Sequence, residues 1–241
     1  MFPIRDHNPS RRRPLVTQGL IAVNIVMFLL TLPMVAGGEW LWLQLALYPL
    51  AVTHGEAMTG MVSHMFLHAG LLHIAGNMLF LWIFGDNLED QMGHAGFLLF
   101  YLACGLAAAT AQIATEPFSP VPMVGASGAI AGVMGGYVLL FPRARVDVAL
   151  ILIFLIRIVT VPAWLILGLW FALQLLGGIN MAQGQGGVAY WAHAGGFAAG
   201  VILTLPLFFR RGGPGFWRRS HGLPPHPETR YTASRIPRVR R

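Results

Sequence analysis

The sequence has little with which to coat a surface facing water. Only 10% of its 241 residues are charged, where an ordinary soluble domain carries about 25%. Hydrophobic residues make up 56%, so the surface this chain presents suits lipid. Lysine is absent, and all 16 cations are arginine, a bias that fits a GC-rich genome. The net charge of +7 does not make a nucleic-acid surface, because the arginines gather at the two ends and in one middle loop. The single cysteine, Cys104, excludes an intrachain disulfide. No His-Glu-x-x-His occurs, which excludes the usual zinc site of a membrane metalloprotease. No repeat of 20 to 50 residues stands out. The first apolar run lacks a small-x-small cleavage site, so it reads as a span and not as a removable signal.

Six apolar segments are present, each near the roughly 20 residues that cross about 30 Å of hydrocarbon. They run over Thr17–Val35, His64–Phe84, Ala95–Ala114, Gly125–Phe141, Pro162–Leu176 and Ala192–Phe209. Lipid offers no hydrogen-bond partners, so each is expected to be helical. The expected fold is an all-α polytopic membrane protein, a six-helix bundle over 17–209. A cytoplasmic segment, 1–16, precedes it, and an Arg- and Pro-rich disordered tail, 210–241, follows. The apolar stretch Val148–Ile158 contains Arg157 and is expected either to lie at the interface or to lengthen the fifth helix. Arginines precede the first span, follow the fourth and follow the sixth, while the loops after spans one, three and five have none. The positive-inside rule then puts both termini in the cytoplasm, and the expected location is a bacterial cell membrane. Asp86, Glu89 and Asp90 fall in the inner loop after span two, where acidic residues do little to set orientation.

Polar side chains within spans are costly and are functional candidates by default. Span two opens with His64, His68, His73 and Asn77, span four with Gly125-Ala126-Ser127-Gly128, and span six with Ala192-His193. These three spans run in the same direction, so His73, Asn77, Ser127 and His193 share one level in the outer half of the membrane. A serine hydroxyl needs a base to take its proton, and neutral imidazole is the usual base near neutral pH. No Asp or Glu lies in the outer half of these spans, so a Ser–His dyad without a carboxylate is expected. Backbone N–H groups at the start of span four, with His73 and Asn77 four residues apart on one helix face, can supply oxyanion donors. Gly128, Gly132 and Gly136 on span four, and Gly196 and Gly200 on span six, form small-residue faces that let the two helices approach closely. His64 and His68 have metal-like spacing but no third ligand nearby. Each signal alone has a structural reading. Gly-x-Ser-Gly is a weak motif, a lone histidine at a span start is often interfacial, and glycine repeats are packing devices first.

Taken in order, these residues resemble the rhomboid family of intramembrane serine proteases. The resemblance rests on His68-Ala69-Gly70-Leu71-Leu72-His73-Ile74-Ala75-Gly76-Asn77, on Gly125-Ala126-Ser127-Gly128, and on Ala192-His193 with Gly196 and Gly200. It implies that Ser127 is the nucleophile and His193 the base. His73, Asn77 and the Ser127 amide would form the oxyanion hole, with His68 and Gly128 as supporting positions, and His68 would line the cavity floor or first loop. Glu89 and Gly93 resemble the family's structural Glu-x-x-x-Gly. The implied substrates are single-span membrane proteins cut near the outer end of their helix, entering past span five and the loop 177–187. Thr59 and Gly60 stand where many members have Trp-Arg, and Ala131 stands where some have a tyrosine stacked on the catalytic histidine. Another ring or packing alone must then hold His193. The first loop, with Trp40, Trp42 and Tyr48, is expected to lie in the interface. Two other readings lack their discriminating feature here. An inactive client-binding relative would have lost Ser127 or His193, and a transporter would show paired intramembrane charges or inverted repeats.

Overall fold

A computed structural model describes residues 2–37, 44–152, 155–180 and 188–224. Strand β1 (Phe2–Asp6) leads into helix α1 (Leu15–Gly37). Two short helices, α2 (Pro49–Thr53) and α3 (Gly60–Ser63), and a 3-10 turn (His64–Phe66) precede α4 (Leu71–Met92). Then follow α5 (His94–Thr115), α6 (Ser127–Leu140), the hairpin β2 (Arg145–Leu152) and β3 (Leu155–Pro162), and α7 (Ala163–Asn180). Helix α8 (Tyr190–Arg210) and a short α9 (Pro214–Ser220) complete the described chain. Helices α1, α4, α5, α7 and α8 are long and apolar enough to cross a membrane. The chain is therefore an integral, multi-pass helical bundle. Leu29, Leu30, Leu99, Leu173, Leu176 and Ile202 stand exposed around it as lipid-facing surface.

Helix α6 is different. Its 14 residues span about 21 Å at 1.5 Å per residue, short of the hydrocarbon thickness. Almost every residue from Gly128 to Tyr137 is buried, as expected of a helix apolar on all sides. It is the central post of the bundle. On its α8 face, β-carbons added at Gly196 and Gly200 would run into the backbone carbonyls of Gly128 and Gly132. Only glycine permits this approach, and it is the close packing the sequence pattern anticipated.

Several boundaries differ from the sequence reading. Span two starts at Leu71 and not His64, because His64–Phe66 forms a separate 3-10 turn and Leu67–Gly70 leaves the helix. The helix instead continues to Met92, so Asp86, Glu89 and Asp90 belong to its last turns and not to a loop. Glu89 accepts hydrogen bonds from the Val16 and Thr17 amides, both 2.8 Å, and from the Thr17 hydroxyl, 2.7 Å. A carboxylate from α4 thereby caps the start of α1. Gly93, at φ +75°, makes the turn between α4 and α5 that a side chain would resist.

The stretch Val148–Ile158 does not lengthen the fifth helix, which begins at Ala163. It belongs to the β2–β3 hairpin, which pairs antiparallel from Arg145↔Pro162 to Leu152↔Leu155, and β1 adds to β2 as a third strand. Its β-branched residues favour extended chain. An open sheet edge cannot face hydrocarbon, so the sheet belongs outside the hydrocarbon layer, at the end of the bundle opposite Ser127. Asp147 fastens it, accepting from the Thr160 hydroxyl (2.6 Å) and Arg5 (2.7 Å), with His7 at 2.9 Å. Part of the segment expected to be disordered is folded. Helix α9 lies against α6, with the Trp217 indole donating to the Leu139 carbonyl at 2.9 Å. Trp40, Trp42 and most of the 177–187 loop, like the tail from 225, fall outside the described residues.

Candidate active site

The N-terminal ends of α4, α6 and α8 meet. Gly125, at φ +123°, turns the extended approach so that Ser127 opens α6. The first turn of a helix leaves its N–H groups without intrahelical partners, and the helix dipole favours negative charge there. His193 sits one turn into α8, with its Nε2 2.7 Å from Ser127 Oγ. Two side chains 66 residues apart in sequence thus share a direct hydrogen bond. They face a cavity of about 400 Å³ whose lining includes His73, Gln112, Ser127, Gly128 and His193.

His73, from the first turn of α4, lies on the other side of Gly125. A β-carbon built on Gly125 would come 2.7 Å from His73 Nε2 and 3.6 Å from Ser127 Oγ. Glycine is required here both for its φ and to let the imidazole approach the serine. His73 Nδ1 accepts the Ala69 amide N–H at 3.4 Å, which leaves the Nε2–H as the donor facing the cavity. Asn77 is buried one turn behind and donates to the His73 carbonyl at 3.1 Å, so it braces His73. His68 does not line the cavity. It is fully buried with its ring edge-on to His73, centroids 5.1 Å apart. Gly128 lines the cavity, and a β-carbon there would press to 2.5 Å from that of Ala108 on α5.

Three neighbours were not singled out from sequence. Trp170 of α7 lies against His193 with ring centroids 5.6 Å apart and planes at 38°. It supplies the ring that Ala131, buried on α6, does not. Gln174, also on α7, places Oε1 2.8 Å from His193 Nδ1. Gln112 of α5 accepts the Ala192 amide N–H at 3.2 Å, tying down the residue before His193. Both glutamines are polar residues inside apolar spans, the signal that marks intramembrane function by default.

Residues 55–210 match the family described as "Rhomboid domain". The chain is 38% identical over 146 residues to "Rhomboid protease GluP" of Bacillus subtilis, a match covering 58% of this chain and 25% of that protein. It is 28% identical over 191 residues to "Rhomboid protein 1, mitochondrial" of Saccharomyces cerevisiae, covering 74% of this chain and 52% of that one. It is also 30% identical over 175 residues to "RHOMBOID-like protein 4" of Arabidopsis thaliana, covering 68% and 40%. The chain therefore spans between a quarter and about half of each of these proteins. The match extends over well more than half of the 241 residues and takes in all three helix starts that meet around Ser127, so this chain belongs to the rhomboid family.

Proposed function

We propose that the chain is an intramembrane serine endopeptidase that cuts membrane-protein substrates in or near their transmembrane helices. The observation that carries this reading is the 2.7 Å hydrogen bond between Ser127 Oγ and His193 Nε2, made at the wall of a cavity within a membrane bundle. The similarity to "Rhomboid protease GluP" of Bacillus subtilis supports it.

In the proposed reaction Ser127 Oγ attacks the scissile carbonyl carbon while His193 Nε2 takes the hydroxyl proton. The tetrahedral oxyanion faces the Ser127 N–H at the positive end of α6 and the Nε2–H of His73. Asn77 holds the His73 carbonyl and offers its remaining amide N–H. His193 then protonates the leaving amine as the C–N bond breaks, and water resolves the acyl-enzyme by the same route. No cofactor takes part. A substrate helix enters beside α7 and unwinds locally, which favours small or helix-breaking residues at the cut. The substrates are transmembrane proteins reached through the bilayer. The arginine distribution supports an orientation with both termini in the cytoplasm of a bacterial cell and the dyad toward the outer face. Cleavage of a reconstituted single-span protein is expected to vanish in Ser127→Ala and in His193→Ala. Hydrolysis retained by either variant would refute the assignment.

A further inference from the structure

Helix α7 turns most of its surface outward and buries only Ala163, Leu167 and Gln174. One buried amide on a helix otherwise given to lipid is costly unless it has a task. Its two hydrogen bonds define that task. Gln174 Nε2 donates to the Trp170 carbonyl at 3.2 Å, and Oε1 lies 2.8 Å from His193 Nδ1. A carbonyl oxygen only accepts, so the NH2 end of the amide must face Trp170 and the oxygen must face His193. An amide oxygen also only accepts, so Nδ1 must carry the imidazole proton. Nε2 is then left with its lone pair, pointed at Ser127 Oγ 2.7 Å away. The backbone of α7 thereby dictates, through one side chain, which nitrogen of His193 is the base.

We infer that Gln174 is a positioning residue that holds His193 in its reactive tautomer and orientation, the place a carboxylate takes in a Ser–His–Asp triad. The inference rests on the dyad proposed above. When Ser127 Oγ bonds the substrate carbon, its proton moves to Nε2, Nδ1–H stays in place, and Gln174 Oε1 faces the new imidazolium. The proton on Nε2 then leaves with the amine as the C–N bond breaks, which restores the starting tautomer. A neutral acceptor suits this depth, because an ionised carboxylate would carry a large desolvation cost. Trp170 completes the cradle: its carbonyl fixes Gln174 while its ring flanks the imidazole.

The test uses the full chain in detergent and an alkyl fluorophosphonate, with the rate of Ser127 modification resolved into kinact and KI. Gln174→Leu keeps the volume and removes the acceptor. It is expected to lower kinact about 10- to 100-fold, about 1.4–2.8 kcal/mol at tenfold per ~1.4 kcal/mol, with KI within about twofold. Gln174→Glu, protonated at this depth, donates to the Trp170 carbonyl and accepts from Nδ1–H. It is expected to react within about threefold of the unsubstituted chain, which separates loss of the acceptor from loss of the fold. Undiminished kinact in Gln174→Leu would overturn the inference, as would a Gln174→Glu variant impaired as far as Gln174→Leu. Modification that persists in Ser127→Ala would instead refute the dyad, and the inference with it.

Discussion

Gly125→Ala separates the oxyanion site from the dyad. Gly125 holds φ +123°, and its missing β-carbon leaves room for His73 Nε2 at 2.7 Å and Cε1 at 2.8 Å from that point. An alanine carries two costs. An L-residue held at positive φ loses about 1–2 kcal/mol, so the melting temperature is expected to fall by roughly 2–8 °C at ~2–4 °C per kcal/mol. The larger cost is local. Ordinary contact begins near 3.4 Å, so the imidazole must retreat by about 0.7 Å from its present 2.7 Å. Ser127 and His193 are free to remain as they are, because the new carbon would stand 3.6 Å from Oγ. Displacing a single oxyanion donor costs about 10²- to 10³-fold in kcat, and misplacement by about 1 Å about 10²-fold. We therefore predict kcat about 100-fold lower with KM within about threefold. The assay is steady-state cleavage of a single-span substrate in proteoliposomes, run beside a thermal melt of each variant. A Gly125→Ala enzyme with kcat within threefold of the parent would show that His73 is not engaged in the reaction.

Two further outcomes concern the far end of the molecule. Glu89→Gln removes the charge that caps α1 through the Val16 and Thr17 amides. It is expected to cost about 2 kcal/mol and roughly 4–8 °C in melting temperature, while the cleavage rate well below the melt stays unchanged. Asp6 accepts from the Tyr137 hydroxyl at 2.7 Å and from Asn87 at 3.0 Å, and burial pushes its carboxyl up to about 7. The folded state therefore holds a proton that the unfolded chain releases near pH 4. The stability this group contributes is complete below that point and is lost as pH rises through about 7. Melting temperatures measured from pH 4 to 8 should show that decline in the parent, and Asp6→Asn should shrink it, leaving the part contributed by its acidic neighbour Asp86.

The spans were legible because lipid imposes a length and an apolar composition on every crossing helix. The approach of α6 to α8 was legible because Gly128, Gly132, Gly196 and Gly200 recur at the spacing of one helix face. The β2–β3 hairpin was not, because its apolar residues match the hydropathy of a span, and only their β-branched character distinguishes them. The end of α4 is not legible, because Asp86, Glu89 and Asp90 read as loop in sequence: Glu89 is tolerated in the helix because α1 supplies donors to it. At the site, Ser127, His193 and His73 stood out as polar groups at three span starts. Gln174 escaped notice because its partner, His193 Nδ1, is reached only when α7 packs beside α8. Trp170 escaped for a related reason, since nothing local in an apolar helix says which aromatic ring will face an imidazole.

Ser127 is proposed to be an activated nucleophile within the membrane bundle. The most direct measurement is intact-mass and peptide mapping of the detergent-solubilised chain after exposure to a fluorophosphonate. One adduct is predicted, on Ser127, and it should be absent from His193→Ala. An unmodified Ser127 in the parent chain, or equal modification after loss of His193, would refute that role for Ser127.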